Sequence, residues 1–399
     1  MKKFLKITGI VLVILLFVAF LFRKKIYRLD FALKMFSGLE QVDRFRTVEE
    51  YFPTRIIEQS KTPSTFTRAS EEMILPESYN YRGTHKKTEQ LLTITDVTGL
   101  LVIKNDTIQF EKYHRGNTED SHTIAWSVTK SFVSALVGIA LEEGHIKSID
   151  DVAVDYVSEL KGTAYEQVSI KNLLQMSSGI RWNEDYSDFD SDINRFGRTL
   201  ALGYSFESFV KTLERDREQG TYNLYNSSDT QVLGMIISRA TGITLSDYLE
   251  AKIWKPIGME NKAYWVVDDH GDEFAAAGLN ASLRDYARFG KLYLNKGKYN
   301  GQQIVPEKWV ENSLTPDAPH LMPGENYFGY GYQWWIPKTK QNEFLAIGVY
   351  NQFIYVNPTE NVIIVKSSAY SSYGTGNRED NYTDHETMEL FRAIVQKLK

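Results

Sequence analysis

Ala125-Trp126-Ser127-Val128-Thr129-Lys130-Ser131-Phe132 is the stretch on which the fold turns. It reads as a turn feeding into a buried helix. Val128, Phe132, Leu136, Ile139 and Ala140 recur at helical spacing, and Gly144 supplies a stop. Ser127 and Lys130 lie three residues apart and therefore share a face near the first turn. A hydroxyl is a poor nucleophile at neutral pH and needs a neighbouring base. A lysine desolvated among apolar side chains loses part of its hold on the proton and can be that base. Backbone N–H groups at a helix start also favour developing negative charge. The plainer reading of the same residues is an N-cap serine with a lysine in water one turn on. That reading suits the second Ser-x-x-Lys, Ser208 to Lys211, where Phe206, Phe209, Val210 and Leu213 face inward and leave Ser and Lys outside.

With 399 residues, 42% of them hydrophobic and 24% charged, the chain can build one large or two modest domains. It has no cysteine, which excludes disulfides, thiolate metal sites and thiol catalysis. The first 30 residues carry seven Lys/Arg and one Asp, net +6, which leaves −11 of the total −5 on the remainder. So acidic a body argues against a nucleic-acid partner. Ile7 to Phe22 is almost wholly apolar between Lys2, Lys3, Lys6 and Arg23-Lys24-Lys25, without a small-residue cleavage site. It reads as an uncleaved signal anchor, residues 1–25, of a single-pass membrane protein whose large domain lies outside the cytoplasm.

Residues 26–90, broken by Pro53, Pro63, Pro76 and Gly83, read as a tether and a segment wrapping the main domain of 91–399. Leu91 to His114 is rich in β-formers, with Leu100–Ile103 and Thr107–Phe110 flanking Lys104-Asn105-Asp106 as a hairpin. From about 149 to 290 the pattern is mainly helical, strongest over Asp229–Ala240 and Leu283–Leu294. Strands are expected again at Gly329–Ile336, Phe344–Val349, Phe353–Val356 and Val362–Ser367, with a turn at Asn357–Asn361 and a closing helix from Asp384 to Leu398. Trp334, Trp335, Tyr330 and Tyr332 read as core and rim of that sheet, some of them able to wall a cleft.

Two further constellations can carry chemistry. Tyr225 and Ser227 sit in a loop before a helix that Asp229 is expected to cap. A tyrosine beside Ser127 and Lys130 can relay a proton if the lysine lowers its pKa; by itself Tyr225 reads as a packed loop aromatic and Ser227 as a turn residue. On the late strand, Ala346-Ile347-Gly348-Val349 can offer a backbone N–H to an oxyanion, or be a core strand with a glycine for close packing. The seven histidines show no ligand spacing. Asp188, Asp190 and Asp192 alternate without the glycine and glutamate of a calcium loop and read as solvated charges.

The order Ser-x-x-Lys, then Tyr-x-Ser, then a glycine strand resembles the class C β-lactamase-like serine hydrolases, nearest their 6-aminohexanoate-dimer hydrolase branch. Ile170–Gly179 and the run Arg284-Asp285-Tyr286-Ala287-Arg288-Phe289-Gly290 add to the likeness. The resemblance, from about residue 90 to the end, implies a β-lactamase/transpeptidase-like α/β fold: an antiparallel sheet flanked by helices plus an inserted mainly helical domain; the one N-terminal transmembrane helix read from the apolar run lies outside it. It implies acyl-enzyme chemistry on a small-molecule amide or ester without a cofactor. Ser127 would attack, Lys130 activate, Tyr225 relay the proton with Ser227 beside it, and the N–H groups of Ser127 and Val349, next to Gly348, hold the oxyanion.

Two departures shape the expected substrate. Ala346-Ile347-Gly348 stands where β-lactam- and D-Ala-D-Ala-cleaving relatives carry Lys-Thr-Gly or His-Thr-Gly, and offers neither charge nor hydroxyl to a substrate carboxylate. Ser227 replaces the asparagine of the β-lactamases. Both favour a hydrolase of linear amides or esters. The alternatives are a penicillin-binding D-Ala peptidase or β-lactamase, and a non-catalytic surface protein of the same fold.

Overall fold

The computed structural model describes residues 2–38, 40–324, 327–339, 341–374 and 383–399, with the side chains of residues 2, 3, 15, 18 and 19 outside that description. Val97–Lys104 and Thr107–Tyr113 form the expected hairpin, Asn105 and Asp106 both taking positive φ in its turn. Leu100 and Val102 join one hydrophobic cluster while Leu101 and Ile103 join another. The strand is thus covered on both faces, which explains its unbroken apolar run.

This hairpin sits within an eight-stranded sheet ordered 329–330, 335–336, 344–348, 352–357, 362–368, 97–104, 107–113, 67–68. Neighbours are antiparallel except the last pair, Thr67–Arg68 running parallel to Thr107–Tyr113. One face takes the closing helix Asp384–Lys397 through Met388, Leu390, Phe391, Ile394 and Val395. The other takes Leu283–Leu294, whose Phe289 stacks on Phe132 with ring centroids 3.6 Å apart. Phe132 belongs to the helix Thr129–Glu142, which is buried on every side from Thr129 to Ala140.

Gly138 lets this helix lie against Trp309, where a Cβ would collide with the indole. Gly138→Val gains less than about 1 kcal/mol of helix propensity but overpacks the contact at about 1–3 kcal/mol. The denaturant midpoint of that variant is expected to fall; an unchanged or raised midpoint would contradict this packing.

The Arg284–Gly290 run anchors its helix. Ser282 caps it by accepting from Asp285 N, and Asp285 accepts from the backbone N–H groups of Glu260 and Asn261. Fully buried Arg288 donates to Asp285 at 3.0 Å, Glu260 at 2.8 Å and Ser64 O at 2.6 Å. Gly290 passes Ile354 and Ile363 of the sheet at close range.

Several elements differ from the sequence reading. The run 149–290 also holds Ala263–Val266 and Leu279–Ala281, which pair within a second, four-stranded sheet ordered 54–57, 263–266, 279–281, 123–124. Thr88–Ile94 is a helix ahead of the first long strand. Gly329–Ile336 is not one strand but two pairs, Gly329–Tyr330 and Trp335–Ile336, folded back on each other. Gln333 takes φ +62 in the turn, and its buried amide donates to Leu173 O and Leu174 O while accepting from Thr230 Oγ1.

The first helix spans Lys2–Lys34 and so continues well past residue 25. Every described apolar side chain from Phe4 to Phe22 is exposed, whereas Arg28, Phe31 and Met35 are buried against the body. Arg28 pairs with Asp269 at 2.7 Å, and Phe31 stacks on Tyr51 at 3.9 Å. Among the described residues no helix is long and apolar enough to cross a membrane; residues 15, 18 and 19 of the apolar run lie outside the described side chains.

Candidate active site

Ser127 lies in a 3-10 turn, Trp126–Val128, between the short strand Thr123–Ile124 and the buried helix. Trp126 takes φ +50, a left-handed conformation that costs a bulky residue on the order of 1–3 kcal/mol. The surrounding aromatic packing holds it: Phe45 lies 5.2 Å, Phe36 5.4 Å and Tyr350 5.9 Å from the indole. The strand Phe344–Gly348 crosses this turn so closely that a Cβ on Gly348 would collide with Ala125 O. Glycine is required there by the approach of two backbones. Gly348 and Val349 therefore reach the same cavity as Ser127.

Lys130 is 1% exposed, with Nζ 2.8 Å from Ser127 Oγ and 2.8 Å from Ala276 O. The solvated alternative for this lysine is thereby removed. Burial lowers its pKa to about 8, partly offset by the charge of Glu184. At Ser208 the contrast is complete: Ser205 caps the short helix Phe206–Val210, and Lys211 pairs with Glu207 at 2.5 Å.

Tyr225 borders the same cavity as Ser127, and Lys130 Nζ lies 5.2 Å from its ring centroid. The condition set on Tyr225, that Lys130 lower the phenol's pKa, is not met. Burial first, then the charges of Glu184 and Asp384, hold that pKa well above its ordinary value, so the phenol stays protonated. Its ring packs against Trp335 at 5.2 Å and edge-on to Tyr330 at 6.2 Å. Trp334, Tyr330 and Tyr332 are buried, and of the four ring residues singled out in the sequence Trp335 lines the cavity.

Ser227 stands beside Tyr225, but its hydroxyl donates to Glu184 Oε1 at 2.6 Å. Glu184 also accepts from Tyr186 OH at 2.7 Å, Ser227 N at 3.3 Å and the Trp182 indole. This carboxylate, which the sequence reading passed over, faces the cavity and is fully engaged by hydroxyl, indole and backbone donors. Asp229 is not the cap. Asn226 accepts from Ser228 N at the start of Ser227–Thr241, and Asp229 sits buried behind it with its pKa raised by burial to about 8.

The loop bearing Tyr225 is held by the Ile170–Gly179 run. Ser169 caps Ile170–Leu174, Met176 takes φ +52, and Leu224 N donates to Met176 O at 2.8 Å. Asn223 Nδ2 reaches Gln175 O at 2.9 Å.

The cavity has a volume of about 800 Å³ and borders Ser127, Glu184, Tyr225, Trp335, Gly348 and Val349. Its outer wall comes from segments distant in sequence. Tyr81 and Arg82 sit at the tip of the hairpin Ser78–Tyr81 and Thr84–Lys87, in a turn where Arg82 and Gly83 both have positive φ. Asp384 and His385 open the closing helix, His385 stacked on Phe328 at 4.0 Å. Asp384 accepts from Tyr373 OH at 2.8 Å, and burial raises its pKa to about 7. Asn351 ties the turn after Val349 to Thr383 at 3.1 Å and to buried Lys366. Among the described residues no His, Asp and Glu group could hold a metal ion; Asp188 and Asp192 instead accept from Asn183 and fold their own loop.

A buried lysine bonded to a serine hydroxyl in an aromatic-walled cavity defines a serine hydrolase of the acyl-transfer class. The β-lactamase family model matches residues 86–389, and the chain belongs to that family. It is 30% identical to the 6-aminohexanoate-dimer hydrolase of Paenarthrobacter ureafaciens over 295 residues, covering 71% of this chain and 75% of the relative. A Bacillus anthracis structure provisionally assigned as a 6-aminohexanoate-dimer hydrolase superposes with TM-score 0.81 at 25% identity, over 91% of this chain and 96% of that one. A class C β-lactamase shares the fold at TM-score 0.56 and 17% identity, over 78% of this chain and 94% of its own.

Proposed function

We propose that the protein hydrolyses small linear amides or esters through an acyl-enzyme on Ser127. The observation that carries this reading is the 2.8 Å contact between Ser127 Oγ and a lysine whose pKa is brought to about 8 by burial. Neutral Lys130 takes the proton as Ser127 Oγ bonds to the substrate carbonyl carbon. The N–H groups of Ser127 and Val349 hold the resulting oxyanion, with Gly348 keeping the strand close enough to do so. Tyr225, protonated and beside Ser127 in the cavity, passes its proton to the leaving amine or alcohol as the carbonyl–heteroatom bond breaks, and recovers one from Lys130, which returns to its neutral form. Water then attacks the acyl carbon, giving its proton to neutral Lys130; the bond from that carbon to Ser127 Oγ breaks, and Oγ takes the proton back. Ser227 acts through Glu184 rather than on the substrate.

The substrate class follows from the late strand. Ile347 lines the cavity where charge or a hydroxyl would be needed to grip a β-lactam carboxylate, so linear substrates are favoured over β-lactams and terminal D-Ala-D-Ala. The name of the Paenarthrobacter relative, a dimer hydrolase, points the same way.

The proposal extends to the membrane. Phe4 to Phe22 rises ~28 Å at helical pitch, close to the ~30 Å hydrocarbon layer. Its described apolar side chains face outward, and basic residues flank it. Residues 1–25 then anchor a single-pass protein with its catalytic domain outside the cytoplasm, residues 26–90 wrap the body, and 91–399 form the hydrolase domain.

The full-length chain tests both parts in one preparation. It is expected to stay with membranes after alkaline carbonate extraction, and to turn over an activated acyl ester and a linear amide while leaving benzylpenicillin intact. Rapid penicillin hydrolysis, or a long-lived penicilloyl adduct, would favour the penicillin-recognising alternative. Release by carbonate would remove the anchor.

A further inference from the structure

A second cavity, of about 290 Å³, lies between the docked end of the first helix and the body. One wall is Leu29 and Leu33 of the first helix with Phe36 just beyond its end; the facing wall includes Gly197 and Leu200 of the helix Asp192–Leu202. Trp126 forms part of its lining, so consecutive residues border the two cavities, Trp126 here and Ser127 in the catalytic one. Tyr186 borders both. Leu33, Phe36 and Phe189 leave the mouth of the groove apolar and exposed.

We propose that this groove binds the alkyl chain of a membrane-resident acyl ester or amide whose carbonyl is presented to Ser127. The inference rests on the hydrolase and anchor readings above and names the substrate class for that site. The groove begins within two turns of the exposed apolar run, directly after Arg23-Lys24-Lys25, and so lies at the level where an anchored helix leaves the bilayer. A chain leaving the lipid there meets carbon-lined walls without crossing bulk water. It is led past Tyr186 toward the nucleophile. A short polar substrate needs none of this surface.

Gly197 supplies the test, because a Cβ at that position meets nothing within 4 Å and its helix permits a side chain. The full-length protein in phosphatidylcholine nanodiscs would be assayed with 4-nitrophenyl acetate and 4-nitrophenyl decanoate. A buried methylene contributes up to about a fourfold gain, so three or four methylenes of the decanoyl chain seated in the groove put its kcat/KM on the order of 10²-fold above that of acetate. Gly197→Leu should fill the groove and erase most of that ratio, chiefly through KM, with the acetate rate retained. Ala32→Leu, on the opposite wall, gives the same readout should Gly197→Leu lose both rates. A ratio near one in the unaltered protein overturns the groove, as does a ratio untouched by both variants; in either case acetate turnover leaves the hydrolase reading standing. Absence of acetate turnover in the unaltered protein removes the hydrolase reading, and this inference with it.

Discussion

Replacing Ser127 with alanine lowers kcat for an activated acyl ester by on the order of 10⁴–10⁶-fold while leaving the fold in place. The size of the loss follows from the acyl-enzyme route, which has no second nucleophile. Tyr225 is held protonated by burial and by Glu184, and Ser227 is committed to that carboxylate. Loss of one hydroxyl oxygen beside Lys130 creates little cavity, so thermal unfolding of Ser127→Ala should match the parent. Residual binding of substrate with unchanged unfolding would show that chemistry, and not structure, was removed. A kcat within tenfold of the parent would mean that another group attacks.

Lys130→Met gives the second large effect, about 10²–10⁴-fold in kcat. Methionine keeps the length and apolar bulk that the buried helix requires, and removes the base. It leaves Ala276 O without the lysine donor, at about 1–3 kcal/mol, yet also removes a charge from a buried site, which works in the opposite direction. The diagnostic is pH. Lys130 acts when neutral, and with its pKa brought to about 8 only about a tenth of the molecules are competent at pH 7. The parent kcat/KM should therefore climb with pH through about 8 and then level, and Lys130→Met should lose that limb. Lys130→Arg keeps the charge without a usable base and should be as slow as Met. A parent profile flat from pH 6 to 9, or an active arginine variant, would show that Lys130 contributes its charge alone.

The Ser127–Lys130 pair was legible in the sequence because one helical turn fixes the relation between its members, and the apolar residues after them announce burial. The order of the sheet strands from Phe344 to Ser368 was legible for a similar reason, each being a short apolar run between turns. Gly329–Ile336 misled because its glycine–aromatic alternation imitates a strand. Its reversal depends on Gln333, whose amide finds its partners in Leu173, Leu174 and Thr230, far away in the chain.

Glu184 left no local signal. Its donors are Trp182, Tyr186 and a serine 43 residues on, brought together by an irregular loop. Tyr81, Arg82 and Asp384 meet at the cavity from opposite ends of the sequence, where no spacing rule reaches. The condition placed on Tyr225, a pKa lowered by Lys130, could not be judged from spacing. The lysine nitrogen lies over the ring, and burial, with the charges of Glu184 and Asp384 behind it, raises the phenol's pKa. Conversely, the Arg284–Gly290 run that strengthens the family likeness is structural: Arg288 and Asp285 pin loops, and Phe289 supports the nucleophile helix.

Trapping the acyl-enzyme tests the central claim most directly. The full-length protein would be mixed with a slowly released acyl ester, quenched in acid within the first turnovers, and digested for peptide mass spectrometry. The account predicts one acyl group on Ser127, formed before product accumulates, lost again as water releases it, and absent from Ser127→Ala. Steady turnover with Ser127 unmodified, or an acyl group carried stably on any other side chain, would contradict it.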